Sequence, residues 1–537
     1  MKSIIKVLTC VALFAAVAAC RKSDPDPEVL AENQNYEVAA EATELTINFK
    51  SNVSGVAVIT NCEWITVQSV TPTAVCIKMV PNDEMTARKG ELQFYYDVEM
   101  LARVYVIQKA APAKIEVGNN KYEIGALGGT FDLQFEANFE YSLDIKENWL
   151  GVSPQTKPVE VSSITIYVQE NSGDKRTGHI VIKEKASGKE YATVEVEQAA
   201  PVLKGFYFLN EGQWGKNNAS LGYYDFSKAS YTDAWWTALN PNVRGDFGDV
   251  GNDVAVSGNW LLAVVNSSNL LEICDRDGVH LGAVEIPNCR MVKVNGDIAY
   301  VTSYADDGYV AKVDLKENKV LSTCKTGHEP EGLAIIGNTL YVLNSCGYHT
   351  DYTGGGANEE SSISIIDLTT FTETEKVKLG VCNAYSPLTI LPDGKTFFIN
   401  SSGDYNAVKP TSILFDTTEK KVTKNFGFGG AYADVYDGKL YIFDTSFSYT
   451  TFEWENSNCV YDPATGTIGE FPVNEDEFEL YGAPTGIWIN PTNGDIYIAD
   501  KGNYTSPAFL YKYDKSGVER DKINVGVCPG HLAWDWR

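Results

Sequence analysis

A short strand that occurs seven times between Phe206 and Asp500 constrains the fold of this chain more than any other feature. Each copy has three or four apolar or aromatic residues and ends on a small polar one. The copies are FYFLN (Phe206–Asn210), LAVVN (Leu262–Asn266), AYVTS (Ala299–Ser303), LYVLN (Leu340–Asn344), TFFIN (Thr396–Asn400), LYIFD (Leu440–Asp444) and IYIAD (Ile496–Asp500). Their last residues lie 56, 37, 41, 56, 44 and 56 positions apart. Strand-and-turn units of about 40–55 residues are typical of β-propeller blades, so the spacing predicts a propeller over residues 204–537.

A second apolar strand with a tight turn precedes six of the seven copies, as in Glu331–Ile336 followed by Gly337 and Asn338. Gly, Asn and Asp tolerate the positive φ that such turns need. The first copy lacks this preceding strand, and the last residues of the chain, His531–Trp536, have its pattern. We therefore predict that the C-terminus completes the first of seven blades and closes the ring, which leaves few free sheet edges.

The composition is that of ordinary globular material and favours an all-β fold. Of the 537 residues, 44% are hydrophobic, 21% are charged and 12% are aromatic. A chain of this length should hold about three or four domains. Aromatic side chains suit all-β packing and also surfaces that bind rings or sugars. The formal charge of −27 argues against nucleic acid as a partner, because its phosphates would be repelled.

The longest connections are predicted on one face of the propeller. These are the loops between the second and third strands of four blades, at Glu211–Ser220, Cys346–Ser361, Ser402–Thr411 and Thr445–Asn458. Loops on a rigid scaffold commonly carry function. These loops and the links between blades supply amides and rings that suit a flat or polyhydroxylated ligand. The candidate ligand-binding residues are Trp214, Asn217, Asn218, Trp236, Tyr348, Tyr352, Tyr385, Tyr405, Tyr449, Trp454 and Tyr481. The alternative that single rings only pack their own loops remains open.

Motifs for catalysis are absent from the sequence. It contains no Gly-x-Ser-x-Gly elbow, no His-Glu-x-x-His, no Cys-x-x-Cys and no phosphate loop, and its five histidines are dispersed. We therefore predict a binding protein rather than an enzyme, with no metal and no cofactor. Glu331, Asp249 and Asp253 stand near inner-strand starts, in positions similar to the calcium ligands of propeller lactonases. The other interpretation is that these carboxylates hold the links between blades through hydrogen bonds.

An internal duplication precedes the propeller. Trp64-Ile-Thr-Val67 recurs as Trp149-Leu-Gly-Val152, and Asn82, Arg88 and Gly90 recur as Asn171, Arg176 and Gly178. Val106-Ile-Gln108 with Ala111-Pro112 recurs as Val196-Glu-Gln198 with Ala200-Pro201, so the offsets are 85–90 residues. Short runs of alternating apolar and polar residues indicate strands. The duplication therefore predicts two immunoglobulin-like sandwiches, at residues 35–112 and 113–201.

The same residues carry a family resemblance. The pattern Trp-hydrophobic-x-Val, then Asn…Arg-x-Gly, then Val-x-Gln-x-Ala resembles the BACON domain of gut bacterial surface proteins over most of residues 35–200. The resemblance implies either binding of carbohydrate or mucin, or a spacer that holds another module away from the membrane. Trp64 and Trp149 stand within strand alternation and are predicted to be core residues, so we interpret the pair as a stalk.

The N-terminus predicts export and lipid attachment. A short basic start and the apolar run Val7–Ala19 have the length of a signal peptide, over residues 1–19. Val17-Ala-Ala-Cys20 resembles a bacterial lipobox, which implies cleavage before Cys20 and its acylation, followed by a linker over residues 20–34. The acidic, Pro-containing Ser23–Glu28 loosely resembles the surface-export tag of Bacteroides-type lipoproteins. We therefore expect a lipid anchor in the outer membrane, facing the cell surface, as the only membrane attachment.

Nine cysteines remain once Cys10 leaves with the signal and Cys20 takes lipid, so at least one thiol stays unpaired within the chain. Cys62 and Cys76 lie close enough in sequence that a disulfide between them is one alternative in an oxidising envelope.

The stretch Phe206–Asp225 resembles the opening of surface-layer-like propeller lipoproteins from Bacteroides-type bacteria, which are related to the YVTN propellers. The resemblance covers about residues 204–537, and some relatives capture cobalamin and pass it to a TonB-dependent transporter. It implies a surface protein that binds a small nutrient, first of all a corrinoid, for TonB-dependent uptake. A carbohydrate- or mucin-glycan-binding protein and a lactonase-like hydrolase are the alternatives.

Overall fold

The computed structural model describes residues 25–152, 163–346, 360–403, 408–448, 453–474 and 484–537. Within these ranges the chain is all-β, apart from a short helix over Trp235–Leu239 and a 3₁₀ turn over Ala305–Asp307. None of the helices in the described ranges is long and apolar enough to cross a bilayer. Contacts divide the chain into two compact units, one made mainly of residues up to Glu197 and the other mainly of Gln198–Arg537.

The first repeat consists of two four-stranded sheets around one core. One sheet contains, in spatial order, Val29–Ala31, Glu44–Ser51, Ala74–Met79 and Ile65–Val70. The other contains Asn35–Val38, Glu99–Gln108, Arg88–Tyr96 and Ala57–Thr60. Alternate residues of both sheets, such as Ile47, Ile77, Leu92 and Val104, are fully buried in a common core. This alternation is what period-2 strand geometry requires of a sheet with one buried face.

The predicted linker over residues 20–34 is wrong at its C-terminal end. Val29–Ala31 is a strand that pairs antiparallel with Glu44–Ser51. Val29 is only 4% exposed and packs into the core of the first repeat. The physical reason is that its apolar side chain gains more from burial there than a solvated linker would allow.

The second repeat also has two four-stranded sheets. One contains Lys121–Ile124, Glu190–Gln198, Arg176–Glu184 and Tyr141–Ile145. The other contains Leu150–Val152, Ser163–Val168, Gly129–Ala137 and Ile115–Val117. Leu133, Ile166, Ile180 and Val196 are fully buried.

The duplicated motif has the same structural role in both repeats. A Cβ on Gly90 would lie 2.8 Å from the ring of Trp64, and one on Gly178 would lie 2.8 Å from the ring of Trp149, so each tryptophan covers a glycine. The tryptophans differ in burial: Trp149 is buried, as predicted, whereas Trp64 is only partly buried.

The polar members of the motif hold the chain ends of each repeat. The guanidinium of Arg88 donates to Gln108 Oε1 at 3.0 Å, and that of Arg176 donates to Gln198 Oε1 at 2.9 Å. Both glutamines are fully buried, and each donates through Nε2 to a backbone carbonyl, of Ala40 and Ala126 respectively. Buried amides need such partners, so these repeated residues are explained by structure alone.

In the second unit, the described residues form seven four-stranded antiparallel sheets and one added hairpin. In each sheet we call the edge strand that comes first in chain order the inner strand, except in the first sheet, where it is the C-terminal strand. We call the unit the ring unit (residues 203–537). The inner strands are Pro529–Trp536, Gly251–Ser257, Cys289–Asn295, Pro330–Ile336, Thr389–Ile390, Tyr432–Tyr436 and Pro484–Ile489. The second strands are Leu203–Asn210, Trp260–Val265, Ile298–Ser303, Thr339–Asn344, Thr396–Ser401, Lys439–Phe443 and Ile496–Asp500.

The outer half of each sheet completes the four strands. The third strands are Ser220–Asp225, Leu270–Asp275, Tyr309–Asp314, Glu360–Asp367, Thr411–Asp416, Cys459–Asp462 and Pro507–Tyr513. The fourth are Ser230–Thr232, His280–Glu285, Lys319–Lys325, Thr372–Cys382, Lys421–Asn425, Thr467–Glu470 and Glu519–Val527. The hairpin, Thr445–Ser448 with Glu453–Asn456, lies within the segment that was predicted to be a loop over Thr445–Asn458.

Hydrogen bonds link the inner strands in succession. Asp253 Oδ2 accepts the N–H of Val292 at 2.9 Å, Asp434 Oδ2 accepts that of Ile489 at 2.7 Å, and Thr485 Oγ1 donates to the carbonyl of Pro529 at 2.6 Å. The C-terminal strand pairs antiparallel with Leu203–Asn210, with Trp534 opposite Phe206. The prediction that the C-terminus supplies the missing inner strand is therefore confirmed.

The asparagine at the end of three of the repeated strands holds a link between sheets. Asn344 Oδ1 accepts the N–H of Gly327 at 2.9 Å, and Asn266 Nδ2 donates to the carbonyl of Cys289 at 2.7 Å. Asn400 Oδ1 accepts the N–H of Gly430 at 3.0 Å. A short amide fits here because the backbone of a buried link needs a partner once water is excluded.

Cys62 and Cys76 both carry free thiols, so no disulfide joins them. Cys62 Sγ instead accepts the backbone N–H of Glu91 at 3.4 Å.

Candidate functional site

The inner strands begin, and the second strands end, on one face of the ring unit, which we call the long-loop face. It follows from the antiparallel order of each sheet that the connections from second to third strands also lie there. The short turns between inner and second strands, such as Gly258-Asn259, lie on the opposite face. The sequence-based assignment of the long connections to a single face agrees with this order of strands.

Six polar side chains at inner-strand starts and second-strand ends form what we call the inner-strand cluster: Glu211, Arg290, Glu331, Tyr385, Lys501 and His531. Lys501 Nζ lies 3.0 Å from Glu211 Oε2, and His531 Nε2 lies 3.8 Å from Glu211 Oε1. These three come from the two sheets in which the first and last parts of the ring unit meet. They are neighbours in space although Glu211 and Lys501 are 290 residues apart in sequence.

A second group within the cluster centres on Arg290. Its Nε donates to Glu331 Oε1 at 3.0 Å, and its Nη2 donates to the hydroxyl of Tyr385 at 2.5 Å. The guanidinium also lies over the rings of Tyr304 and Tyr385, 4.8 and 5.6 Å from their centroids. Planar stacking and charge-assisted hydrogen bonds fix an arginine more firmly than either contact alone.

Burial shifts the proton affinities of this group. Desolvation raises the pKa of Glu331 to about 7, although Arg290 opposes the shift. Burial, reinforced by Glu331, raises the pKa of Tyr385 to about 12. Burial lowers the pKa of Arg290, but Glu331 and Tyr385 more than offset this, so the pKa lies above its ordinary value.

The two groups of the cluster act on each other electrostatically. Burial lowers the pKa of His531, an effect that Lys501 and Arg290 reinforce and that Glu211 and Asp253 oppose. The charge of Glu211 likewise contributes to the raised pKa of Tyr385. The charges of each group therefore influence a pKa in the other.

Asp249 and Asp253 hold backbone links, as in the second interpretation of these carboxylates. The two oxygens of Asp253 accept the N–H groups of Val254 and Val292, each at 2.9 Å. Asp249 Oδ2 accepts the N–H of Gly215 at 2.7 Å. Nowhere in the described ranges are three or more His, Cys, Asp or Glu side chains grouped so that they could hold a metal ion.

Trp214 is the most prominent of the predicted ligand residues that the structure describes. Its side chain is 83% exposed, and its loop is tied down at several points. Gly215 donates to Asp249, Asn218 Oδ1 accepts the N–H of Gln213 at 2.7 Å, and Asn217 has a left-handed backbone with φ of 51°. The loop starts at Glu211 of the inner-strand cluster. Asn217 and Asn218 shape the loop, whereas Trp214 projects into solvent.

Two other predicted residues are described. Tyr385 is 45% exposed and belongs to the inner-strand cluster through Arg290. Trp236 is fully buried, which corrects its assignment to a ligand surface. Its ring packs against Phe247 at 5.0 Å, lies under the Arg244 guanidinium, and its Nε1 donates to Cys274 Sγ at 3.1 Å. Burial of this large ring supports the link between the first two sheets instead.

The remaining predicted site residues cannot be placed from the structure. Cys20, Tyr348, Tyr352, Tyr405, Tyr449 and Tyr481 lie outside the described residues, and so does the side chain of Trp454.

Glu211, Arg290, Lys501 and His531 were missed as a site by sequence reasoning. The signal for two of them was local, because Glu211 and Lys501 come directly after the repeated strands FYFLN and IYIAD. Arg290 and His531 each stand near the start of an inner strand. Comparing the polar residues directly after each repeated strand with those near each inner-strand start would have identified these four residues.

One family model matches the chain, over residues 139–199. It is the BACON model, described as "Putative binding domain, N-terminal". The match lies inside the second repeat and confirms the resemblance there. Among curated proteins, none matches the sequence of this chain.

Solved structures are similar to this chain only at a low level. A hydrazine synthase of Kuenenia stuttgartiensis has 16% identity and a TM-score of 0.42, covering 54% of this chain and 92% of that one. A quinonprotein alcohol dehydrogenase-like protein of Bacteroides thetaiotaomicron has 14% identity and a TM-score of 0.43, covering 77% and 96%. The β-propeller domain of Cps50 (Swd1) from Myceliophteria thermophila has 10% identity and a TM-score of 0.37, covering 56% and 94%. At TM-scores under 0.5 these likenesses carry no argument about activity.

Proposed function

We propose that this chain is a cell-surface lipoprotein that binds a small nutrient on the long-loop face of its ring unit, without turnover. The ligand we propose first is a corrinoid, taken up through a TonB-dependent transporter. The observation that carries the proposal is Trp214, an exposed indole on a hydrogen-bonded loop that starts in the inner-strand cluster. A rigid aromatic beside fixed polar groups offers contact area at little cost in conformational entropy.

The proposed architecture is a closed seven-bladed propeller preceded by two immunoglobulin-like sandwiches. The seven four-stranded sheets and the pairing of the C-terminal strand with Leu203–Asn210 support the propeller. Two facing sheets around a shared core in the first repeat support a sandwich. The two repeats would act as a stalk between the acylated Cys20 and the propeller.

Carbohydrate or mucin glycan is the alternative ligand, and the BACON match at residues 139–199 favours it. Aromatic rings stack on sugars as readily as on a corrin ring. The hydrolase alternative has less support, since Asp253 uses both carboxylate oxygens on backbone N–H groups.

Calorimetric titration of the full chain with cyanocobalamin and with mucin-type glycans tests the proposal. Trp214→Ala should weaken binding of the ligand by about 2 kcal/mol, or roughly 30-fold, if the indole is a central anchor. Tyr167→Ala is the matched control, because Tyr167 is 47% exposed in the second repeat and outside the ring unit. If Trp214→Ala leaves binding unchanged and Tyr167→Ala abolishes it, the binding site lies in the repeats and not on the long-loop face. Turnover of a lactone by the chain would refute binding without chemistry.

A further inference from the structure

We propose that the long-loop site selects an uncharged ligand rich in hydroxyl or amide groups and discriminates against anions. This inference rests on the proposed function and specifies the ligand class of the same site. It follows from how the charges of the inner-strand cluster are paired.

Both cations of the cluster already have a carboxylate partner. Arg290 lies 3.0 Å from Glu331 and Lys501 lies 3.0 Å from Glu211. The Arg290–Glu331 pair is largely withdrawn from water, since the two side chains are 11% and 0% exposed. An anion would have to displace a carboxylate from one of these cations, which leaves a desolvated charge unpaired.

Above its pKa of about 7, Glu331 is charged and stays paired with Arg290. The charge of Asp253 acts on both Glu331 and His531, so this carboxylate belongs to the same environment. The chain as a whole carries a formal charge of −27, which adds to the repulsion of an approaching anion.

The cluster nevertheless has unused hydrogen-bonding capacity. Within the described ranges, Glu331 Oε2 and the Tyr304 hydroxyl have no hydrogen-bond partner, but both atoms are closed to solvent. The hydrogen bonds of the Arg290 guanidinium involve Nε and Nη2 among its five N–H groups. Hydroxyl and amide groups can accept from the remaining N–H groups of Arg290 and of the partly exposed Lys501, directly or through water, without breaking an ion pair.

Matched ligand pairs test the selection at pH 8 with the full chain. One pair is cyanocobalamin and the monocarboxylate made by hydrolysing one of its amides. The other is N-acetyllactosamine and its sialylated form. For the pair that binds, we expect the neutral member to bind at least about tenfold more tightly, and its Kd to change less than about twofold between 50 and 500 mM salt.

Charge variants give an internal check on the same ratio. Glu331→Gln removes one negative charge and should narrow the preference for the neutral member by about tenfold. Lys501→Met removes one positive charge and should widen the preference for the neutral member. This variant replaces Glu331→Gln as the test if Glu331→Gln fails to fold. Glu317→Gln is the control, because it makes the same change at an exposed turn on the opposite face.

The outcomes separate the two proposals. If no member of either pair binds, the proposed function falls and this inference falls with it. If the anionic member of a pair binds as tightly as the neutral member, the proposed ligand class is wrong and the proposed function stands. The same conclusion follows if binding of the neutral member weakens steeply with salt.

Discussion

Asp444 ends the sixth repeated strand at a position where five of the other six copies end in asparagine or serine. The amides at this position hold links between sheets, as Asn344 does with Gly327. Asp444 is partly buried, and burial raises its pKa from 3.8 to about 6. Burial disfavours the charged form of this carboxylate, so Asp444 should destabilise the fold once it is charged.

We expect Asp444→Asn to raise the free energy of unfolding by about 1 kcal/mol at pH 8 and to have little effect at pH 4. The shift in pKa corresponds to at most about 3 kcal/mol, which partial exposure reduces. The folded pKa of Asp444 lies above the unfolded one. The stability of the fold with Asp444 protonated is therefore fully present below pH 3.8 and is lost as the pH rises through about 6, where the carboxylate becomes charged. Denaturant unfolding at the two pH values measures the difference.

Asp500→Asn is the matched control, at the equivalent position of the next sheet. The carboxylate of Asp500 already accepts the N–H of Gly502 at 2.9 Å, so its replacement should not stabilise the protein. An equal gain from Asp444→Asn at pH 4 and pH 8 would show that the charge is not the cause.

Among the elements, the C-terminal strand Pro529–Trp536 is held by contacts from distant parts of the chain. Asp535 is fully buried, 2.6 Å from the Arg276 guanidinium, and it accepts a hydrogen bond from Tyr223 at 2.8 Å. The ring of Trp534 packs edge-on against Phe206 at 5.7 Å. The strand therefore combines ladder hydrogen bonds, an ion pair and aromatic packing where it joins the first sheet.

Removal of His531–Arg537 should lower the free energy of unfolding by several kcal/mol. The truncation exposes the Phe206 side of the first sheet, which should cost roughly 1.5–3 kcal/mol per large side chain. It also leaves the buried Arg276 without its carboxylate partner, which should cost about 3 kcal/mol. The measurement is the melting temperature of the truncated chain. An unchanged melting temperature would mean that this strand does not close the ring in solution.

Two single substitutions distinguish loss of the ion pair from loss of the strand. Asp535→Asn should lower the free energy of unfolding by about 3 kcal/mol, because it leaves the buried Arg276 guanidinium without its carboxylate partner. Asp277→Asn removes the exposed partner of Arg537 and should cost less than about 1 kcal/mol.

On the scale of the whole molecule, the proposed lipid anchor and the ring unit stand at opposite ends of the sequence. We expect protease treatment of intact cells to remove the ring unit, and Cys20→Ala to release the protein from the membrane fraction, because the acyl chains would be its only anchor. Immunoblotting with an antibody to the ring unit measures both. Complete protection of the ring unit in intact cells would contradict a surface location.

The fold was more predictable than the site. The repeated strands were found because strand length, apolar content and turn residues are local properties that recur at regular spacing. Trp236 was misassigned because an aromatic residue in a link between blades has the same local pattern whether it is buried or exposed. Trp214 was assigned correctly to an exposed loop, but only the structure shows that Asp249 and Asn218 hold that loop in place.

The sequence by itself determined the all-β class, the duplicated N-terminal part and the C-terminal strand that joins the first sheet. These depend on periodicity and on one unmatched strand, which are visible without coordinates. Only the tertiary structure decided that Arg290 meets Glu331, 41 residues away, and Tyr385, 95 residues away. The physical reason is that the packing of neighbouring sheets brings Arg290 beside residues that start or precede the inner strands of other sheets. The distance between two residues in sequence therefore says nothing about which side chains face each other there.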